Sequence, residues 1–349
     1  MTSRKRITTL QEIKVALRNT KEFSSDLQGD SDVRNYRQLP LEVDPPQHHL
    51  YRTLLSELFV RPRIQALQPQ FQEIAKSLVV EFESNGGGNF VDDVATRYVV
   101  TCLGVIFNRP EDVDEWMSWG SDVWTADGPK RDGTRLHTYL HKVYEEGLTS
   151  NHQDAWSYLA KYQLEDRNVT FEEFKGMSSV MLAGGRDTVI KLISGATMHL
   201  LQNPNDCKAI DSGEVPLKNA IQEFLRYFSP LPSMYRVTPD QRDLPDGERN
   251  PELFVEMAFA EANHDPRAFQ SPEIIDIRRE KIQHVAFGFG PHTCIGNHIA
   301  EIETLTILQI LLKRLPNWAL SSPAVLSMKK TTYSEFPSAI HKLNINITE

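Results

Sequence analysis

Residues 287–296 read Phe-Gly-Phe-Gly-Pro-His-Thr-Cys-Ile-Gly, residue types that describe a tight loop built around one cysteine. Gly288 and Gly290 supply the positive φ that close turns need, and Pro291 stiffens the chain between them and Cys294. Gly296 leaves room for a flat group to approach the backbone. Cys294 falls just before apolar residues at helical spacing: Ile295, Ile299, Ile302, Leu305, Ile307, Ile310 and Leu311. The free N–H groups and positive dipole end of such a helix favour a thiolate over a thiol. A thiolate presented this way suits an axial position on a haem iron, where it pushes electron density onto the metal and favours O–O cleavage. The loop therefore predicts oxidative chemistry.

Two further constellations carry chemistry. Ala183-Gly184-Gly185-Arg186-Asp187-Thr188 lies inside a long apolar helical run from Phe174 to Leu201. Adjacent glycines in a helix interior cost about 1 kcal/mol each relative to alanine, and close approach of a ligand is a reason to keep them. Thr188 can bond the carbonyl four residues back or leave it free, and either arrangement opens the helix ladder where dioxygen could lodge. Glu223 and Arg226, three apart on a helix, can pair bidentately and still reach a third group.

The elements that must position these groups are mostly helices. Apolar spacing of three and four predicts helices near 10–19, 49–58, 64–83, 92–106, 111–124, 135–147, 171–203 and 216–228, and another after Cys294. Turn clusters fall at residues 84–89 and 127–130, and Leu244-Pro245-Asp246-Gly247 reads as a hairpin turn before a β-prone run at 253–255. No stretch resembles a flexible linker, so residues 1–349 are expected to form a single, mainly α domain with small β-sheets. With 349 residues, 40% hydrophobic and 24% charged, the chain can bury a large core. A net charge of −9 gives no electrostatic reason to bind nucleic acid, and no basic amphipathic segment suggests a membrane surface. The basic start is followed by polar residues and no apolar stretch is long enough to span a bilayer, so neither a signal peptide nor a membrane-spanning segment is expected. Three cysteines exclude a disulfide framework and fit a reducing cytoplasm.

At the cysteine loop the chain resembles the cytochrome P-450 family of haem-thiolate monooxygenases, whose signature runs Phe-Gly-x-Gly-x-His-x-Cys-x-Gly. The resemblance implies a triangular helical prism around a buried haem b (iron protoporphyrin IX). Cys294 would be the iron ligand, with Phe287, Gly288, Gly296 and Gly184 against the cofactor. Asp44 to Arg52 resembles the family's segment entering a helix, which puts His48 and Arg52 on one face toward a propionate. Arg236 and His292 match two further propionate donors. By the same resemblance Glu223 and Arg226 brace the segment before the cysteine, and Asp187 and Thr188 deliver protons to dioxygen. Ala262 to Phe269, followed by Pro272, resembles the stretch ahead of the loop, so the match runs almost end to end.

Within the family the spacing of Tyr36 ahead of Asp44 is most similar to the bacterial camphor hydroxylase group, which implies that Tyr36 hydrogen-bonds the substrate. Leu182, Ala183, Val189, Leu231, Pro232, Met234 and Phe336 are the expected pocket walls. Three features depart from the pattern. Arg186 occupies a slot that is usually apolar or acidic, and it could pair with Asp187, pair with an acid on a neighbouring helix, or point away. Glu301 stands where arginine is usual. The family's longer N-terminal segment is missing, as in a naturally short member or a truncated chain.

The expected reaction is insertion of one oxygen atom from O2 into a small, largely apolar organic substrate, by hydroxylation, epoxidation or oxidative O-demethylation. No flavin, iron–sulfur or nicotinamide motif occurs, so electrons would come from a ferredoxin or flavodoxin-like donor with its reductase. A peroxide-driven peroxygenase and a non-catalytic haem-binding relative are the alternatives.

Overall fold

The computed structural model describes residues 5–27, 36–119, 134–245 and 248–348. In chain order its α-helices are α1 (Leu10–Ala16), α2 (Gln47–Ser56), α3 (Arg61–Ser84), α4 (Arg97–Phe107), α5 (Val113–Met117), α6 (Thr134–Thr149), α7 (Ala155–Lys161), α8 (Phe171–Gly184), α9 (Asp187–Gln202), α10 (Pro204–Asp211), α11 (Leu217–Phe228), α12 (Pro239–Arg242), α13 (Phe259–Asn263) and α14 (Asn297–Leu311). The helix starts are chemically marked. The Thr9 hydroxyl accepts from Glu12 N at α1, Asp154 accepts from Ser157 N at α7, and Thr170 and Glu173 form a reciprocal capping box at α8.

Three helix expectations are corrected. The helical run expected at 171–203 is two helices, because the chain breaks at Gly185 and Arg186, where Arg186 takes φ −102° and ψ −80°. The helix expected at 92–106 begins as a π-helical turn, Val91–Thr96, before α4. Of the helix expected at 111–124, the described part is a 3₁₀ turn at Pro110–Asp112 and the short α5; residues 120–124 and the turn cluster at 127–130 lie outside the described residues. Sequence periodicity also missed α7, α10, α12 and α13, each of eight residues or fewer and too short for a clear 3.6-residue pattern.

Small sheets complete the fold. Strands β1 (Arg6–Ile7), β5 (Met234–Arg236) and β6 (Val255–Met257) form one, with β6 central, parallel to β1 and antiparallel to β5. The expected strand at 253–255 is thus displaced to 255–257, and β5 and β6 are joined through α12 and a 3₁₀ turn instead of a tight hairpin at 244–247, where Asp246 and Gly247 lie outside the described residues. Strands β2 (Gly87–Asn89), β7 (Trp318–Leu320) and β10 (Asn344–Ile347) form a second sheet. The glycines read as a turn at 84–89 serve this sheet: Gly87 has φ +104°, and a Cβ there would lie 2.0 Å from the Ile345 carbonyl oxygen. Strands β3 (Gln163–Leu164) and β4 (Arg167–Asn168) pair, as do β8 (Val325–Lys330) and β9 (Glu335–Lys342).

The main apolar core runs through α2, α3, α4, α6 to α11 and α14. Within it α14 packs on α3 and α9, and α11 packs on α9 and α14, so the helix behind the cysteine loop and the helix carrying Asp187 share one wall. A smaller cluster of Ile13, Leu17, Met257, Phe259 and Val285 joins α1, β6 and α13 to the chain entering the loop.

Candidate active site

The cysteine loop is held by its own backbone. Gly288 N donates to Val285 O (2.9 Å), Cys294 N to Phe287 O (2.9 Å), and Thr293 Oγ1 to Gly290 O (2.8 Å). Gly288 (φ +67°) and Gly290 (φ +72°) take the left-handed conformations expected of them, and a Cβ on Gly290 would press to 2.8 Å from Leu17 O. The loop therefore seats against the end of α1. A Cβ on Gly296 would be only 3.8 Å from Cys294 Sγ, and Gly296 caps α14, whose first turn begins with Ala300 N donating to Gly296 O (3.0 Å).

Cys294 retains accessible surface, yet surrounding protein raises its thiol pKa, so the sulfur opens onto interior space. Burial is the largest influence, with the Gly296 N–H and the Arg52 charge pulling the other way. The Gly296 N–H at the helix start thus acts in the direction expected from the sequence, against a larger desolvation; a metal ion bound to the sulfur would favour the thiolate further. Asp187 shows the same combination. Its side chain is 71% accessible while burial raises its carboxyl pKa and Arg186 lowers it. Beside it, Thr188 Oγ1 donates to Gly184 O (3.1 Å), which selects the bonded arrangement of the two considered, and a Cβ on Gly184 would meet nothing within 4 Å. Arg186 combines two of its alternatives: Nη2 donates to Trp119 O (3.1 Å) and Nε lies 3.8 Å from Asp187 Oδ1.

His48, from α2, and His292, from the loop, meet with ring centroids 4.2 Å apart. Both are largely enclosed, and neither nitrogen of His48 nor Nε2 of His292 has a hydrogen-bond partner among the described residues. Arg52 lies one turn after His48, and among the described residues buried Arg236 donates Nη1 to its neighbour's carbonyl, Tyr235 O (2.7 Å). Burial, assisted by Arg52 and His49, pushes His48 down to about 4; burial also lowers His292, further depressed by Arg236, His48 and Arg52. Arg236 falls to about 10, and the acid that opposes this is Asp44, itself engaged by Ser24 Oγ and Ser25 N. Four buried or half-buried bases thus converge beside the cysteine with unspent donors. Such a cluster fits the two carboxylates of a haem.

Glu223 and Arg226 are fully buried and bidentate (2.7 and 2.8 Å). The remaining guanidinium N–H groups reach Asn263 O, Pro272 O and Ile274 O, while Glu223 also accepts from Asp276 N (2.9 Å) and Arg279 Nε (3.1 Å). Asn263 Oδ1 then accepts from Val285 N (2.9 Å), two residues before Phe287. The pair therefore reaches the cysteine loop through Asn263, which the sequence reading missed although it sits in the quoted Ala-Asn-His-Asp-Pro stretch.

Two expected substrate contacts stand apart from this arrangement. The Tyr36 ring packs edge-on against His137 of α6 (5.3 Å) under Lys175 Nζ (4.9 Å). Lys175 lies nine positions before Gly184, the last residue of α8, about 14 Å of helix at 1.5 Å per residue, and Thr188 follows the break beyond that end, so Tyr36 sits toward the opposite end of α8 from Thr188. Phe336 has no exposed surface; it stacks on His264 (4.9 Å) beneath Lys191 Nζ (5.6 Å) and fills core. Among the other expected walls, Leu182 and Val189 are buried, Ala183 and Met234 half-buried, Leu231 is exposed, and Pro232 O accepts from Ala260 N (2.9 Å). Lys191 and Glu303, both buried, were also missed; their signal was a charged residue inside an apolar helical run.

The sequence model of the cytochrome P450 family matches residues 211–322, which hold the Glu223–Arg226 pair and the cysteine loop. The chain is 31% identical to the cytochrome P450 monooxygenase PikC of Streptomyces venezuelae over 296 residues, covering 82% of this chain and 71% of PikC. Its fold superposes on a carbohydrate-active P450 (TM-score 0.84, 26% identity, 98% and 92% of the two chains). It also superposes on CYP109E1 from Bacillus megaterium in complex with testosterone (TM-score 0.82, 25% identity, 99% and 92%). The chain belongs to the cytochrome P450 family of haem-thiolate proteins and is a P450 monooxygenase. Among the described residues no helix is long and apolar enough to cross a membrane.

Proposed function

We propose that Cys294 would ligate the iron of a haem b and that the enzyme inserts one oxygen atom of O2 into a small, largely apolar organic substrate, with electrons from a ferredoxin or flavodoxin-like donor and its reductase in the cytoplasm. The observation that carries this reading is the convergence of His48, His292, Arg52 and Arg236 beside the cysteine loop with donors left over for two carboxylates. The haem, when bound, supplies reductive activation of dioxygen. His48, Arg52, Arg236 and His292 would hold the propionates, and desolvation of these bases would strengthen each charge-assisted bond. The loop's internal hydrogen bonds fix the backbone that carries Sγ, and Phe287, Gly288, Gly296 and Gly184 would leave space for the ring.

Asp187 holds a proton more readily than an exposed carboxyl, because burial raises its pKa, and Thr188 stands next to it with its hydroxyl on Gly184 O. An acid and a hydroxyl placed in series can pass protons inward. Ala183, Leu182 and Val189 on the same helices, together with Leu231, Pro232 and Met234, would supply the apolar walls. The two structural neighbours hold or act on a steroid and a carbohydrate, so the fold admits varied substrates, and hydroxylation, epoxidation and O-demethylation all remain within one oxygenase reading.

The test is spectroscopic. The reduced protein under carbon monoxide should show the red-shifted Soret band of a thiolate-ligated haem, and Cys294→Ala should lose it. Retention of that band in the variant would remove Cys294 as the ligand.

A further inference from the structure

Glu301 takes the place of the arginine usual at this position, and the structure shows what it touches. Gln222 Nε2 on α11 donates to Glu301 Oε1 on α14 (2.9 Å). The other end of the same amide, Oε1, is 3.0 Å from His284 Nε2, and His284 Nδ1 is 3.2 Å from the backbone N of Ala286. The chain runs from α14 through α11 to the residue just before Phe287, beside the separate path through Glu223, Arg226 and Asn263. It does not share a side chain with that path.

The direction of every bond is determined. A backbone N–H can only donate, so His284 Nδ1 must be an unprotonated acceptor. Burial pushes His284 down to about 4, which leaves a neutral ring with its single proton on Nε2. That proton goes to Gln222 Oε1, which turns the amide NH2 toward position 301. The residue there must then accept. Glutamate does; arginine, having donors alone, would face a donor. Turning the Gln222 amide to suit an arginine would present NH2 to His284 Nε2, force the other tautomer and leave Ala286 N–H opposed by a second donor.

We propose that Glu301 is a positioning residue for the iron-ligand loop: as terminal acceptor of the Ala286–His284–Gln222 chain it fixes the histidine tautomer and the backbone at the start of the loop. This rests on the reading of Cys294 as haem ligand. Glu301→Gln keeps an acceptor and should leave the loop as it is. Glu301→Arg should disrupt the chain, and Gln222→Glu should disrupt it by placing two carboxylates together. The double variant Gln222→Glu/Glu301→Arg rebuilds it with a carboxylate between His284 N–H and the guanidinium.

The assay follows the red-shifted carbon monoxide band of the reduced holoenzyme and the rate at which it converts to the blue-shifted band of a protein that has lost thiolate ligation, in mild urea. Loss of one aligned hydrogen bond corresponds to roughly two- to twelvefold, so each single disruptive variant should convert faster than wild type by a factor in that range. Glu301→Gln should match wild type, and the double variant should recover most of the difference. Equal rates in all four variants, or additive damage in the double variant, would overturn the proposal. Absence of the red-shifted band in wild type would instead overturn the haem-thiolate reading beneath it.

Discussion

Replacing Arg226 by lysine tests the brace behind the cysteine loop quantitatively. All five guanidinium N–H groups are used: two on Glu223, two on the carbonyls of Asn263 and Pro272 through Nη1, and one on Ile274 O. Both side chains of the ion pair have no exposed surface. Lysine keeps the positive charge for Glu223 but has three donors on a tetrahedral nitrogen that cannot reproduce the planar fork. At least two buried acceptors are left unsatisfied, at about 1–3 kcal/mol each, which puts the loss at about 2–6 kcal/mol. Arg226→Ala also leaves the Glu223 charge buried beside Arg279 alone, and breaking such a pair costs about 3–5 kcal/mol before the carbonyls are counted. Against a stability of about 5–15 kcal/mol for a typical protein, the alanine variant should fail to accumulate as holoenzyme, while the lysine variant should fold with a lowered denaturation midpoint. Urea titration read by tryptophan fluorescence and by the Soret band gives both quantities. A lysine variant within about 0.5 kcal/mol of wild type, the range of ordinary surface substitutions, would refute the reasoning.

Two other expectations are independent of that brace. Thr188→Ala should still consume electrons but release them as hydrogen peroxide, and Asp187→Asn should slow turnover; peroxide and product measured together check this, and unchanged coupling and rate in both would leave these residues a packing role only. Lys191 is buried on α9 with Nζ on Ser229 O (3.3 Å), and burial, with Lys329 nearby, lowers its pKa to about 7 from 10.5. The unfolded chain therefore binds a proton that the folded one releases between those values, so this residue costs stability at low pH and the cost fades as pH rises from about 7 toward 10.5, at on the order of 1.4 kcal/mol per pH unit. Lys191→Met should be the more stable protein at pH 7 by several kcal/mol on this arithmetic, with the gap to wild type closing toward pH 10; a gap that stays constant with pH would show that the amine is not desolvated.

The cysteine loop, the helix behind it and the Glu223–Arg226 pair were legible in the chain because each is local. Positive-φ glycines, a 3.6-residue apolar period and an i, i+3 pair follow from neighbours a few positions apart. The same locality explains the errors. Periodicity read one helix across 171–203 since the apolar pattern continues through the break, whereas the break is held by Arg186 reaching Trp119 O and by Thr188 bonding Gly184 O. Tyr36 was expected at the substrate from its spacing ahead of Asp44 and Phe336 as a pocket wall, whereas their rings are placed by His137, Lys175, His264 and Lys191, residues far from them in sequence. The acceptor role of Glu301 has no trace in the chain, because it arises from a hydrogen-bond direction passed from Ala286 through two side chains on separate elements. Sequence determined which groups could ligate, pair and donate, for those are properties of residue type and short spacing. Only the tertiary structure decided which of them meet, because the meeting of His48, His292, Arg52 and Arg236 depends on packing α2, β5 and the cysteine loop together across nearly 250 positions of chain, a distance over which no local pattern carries information.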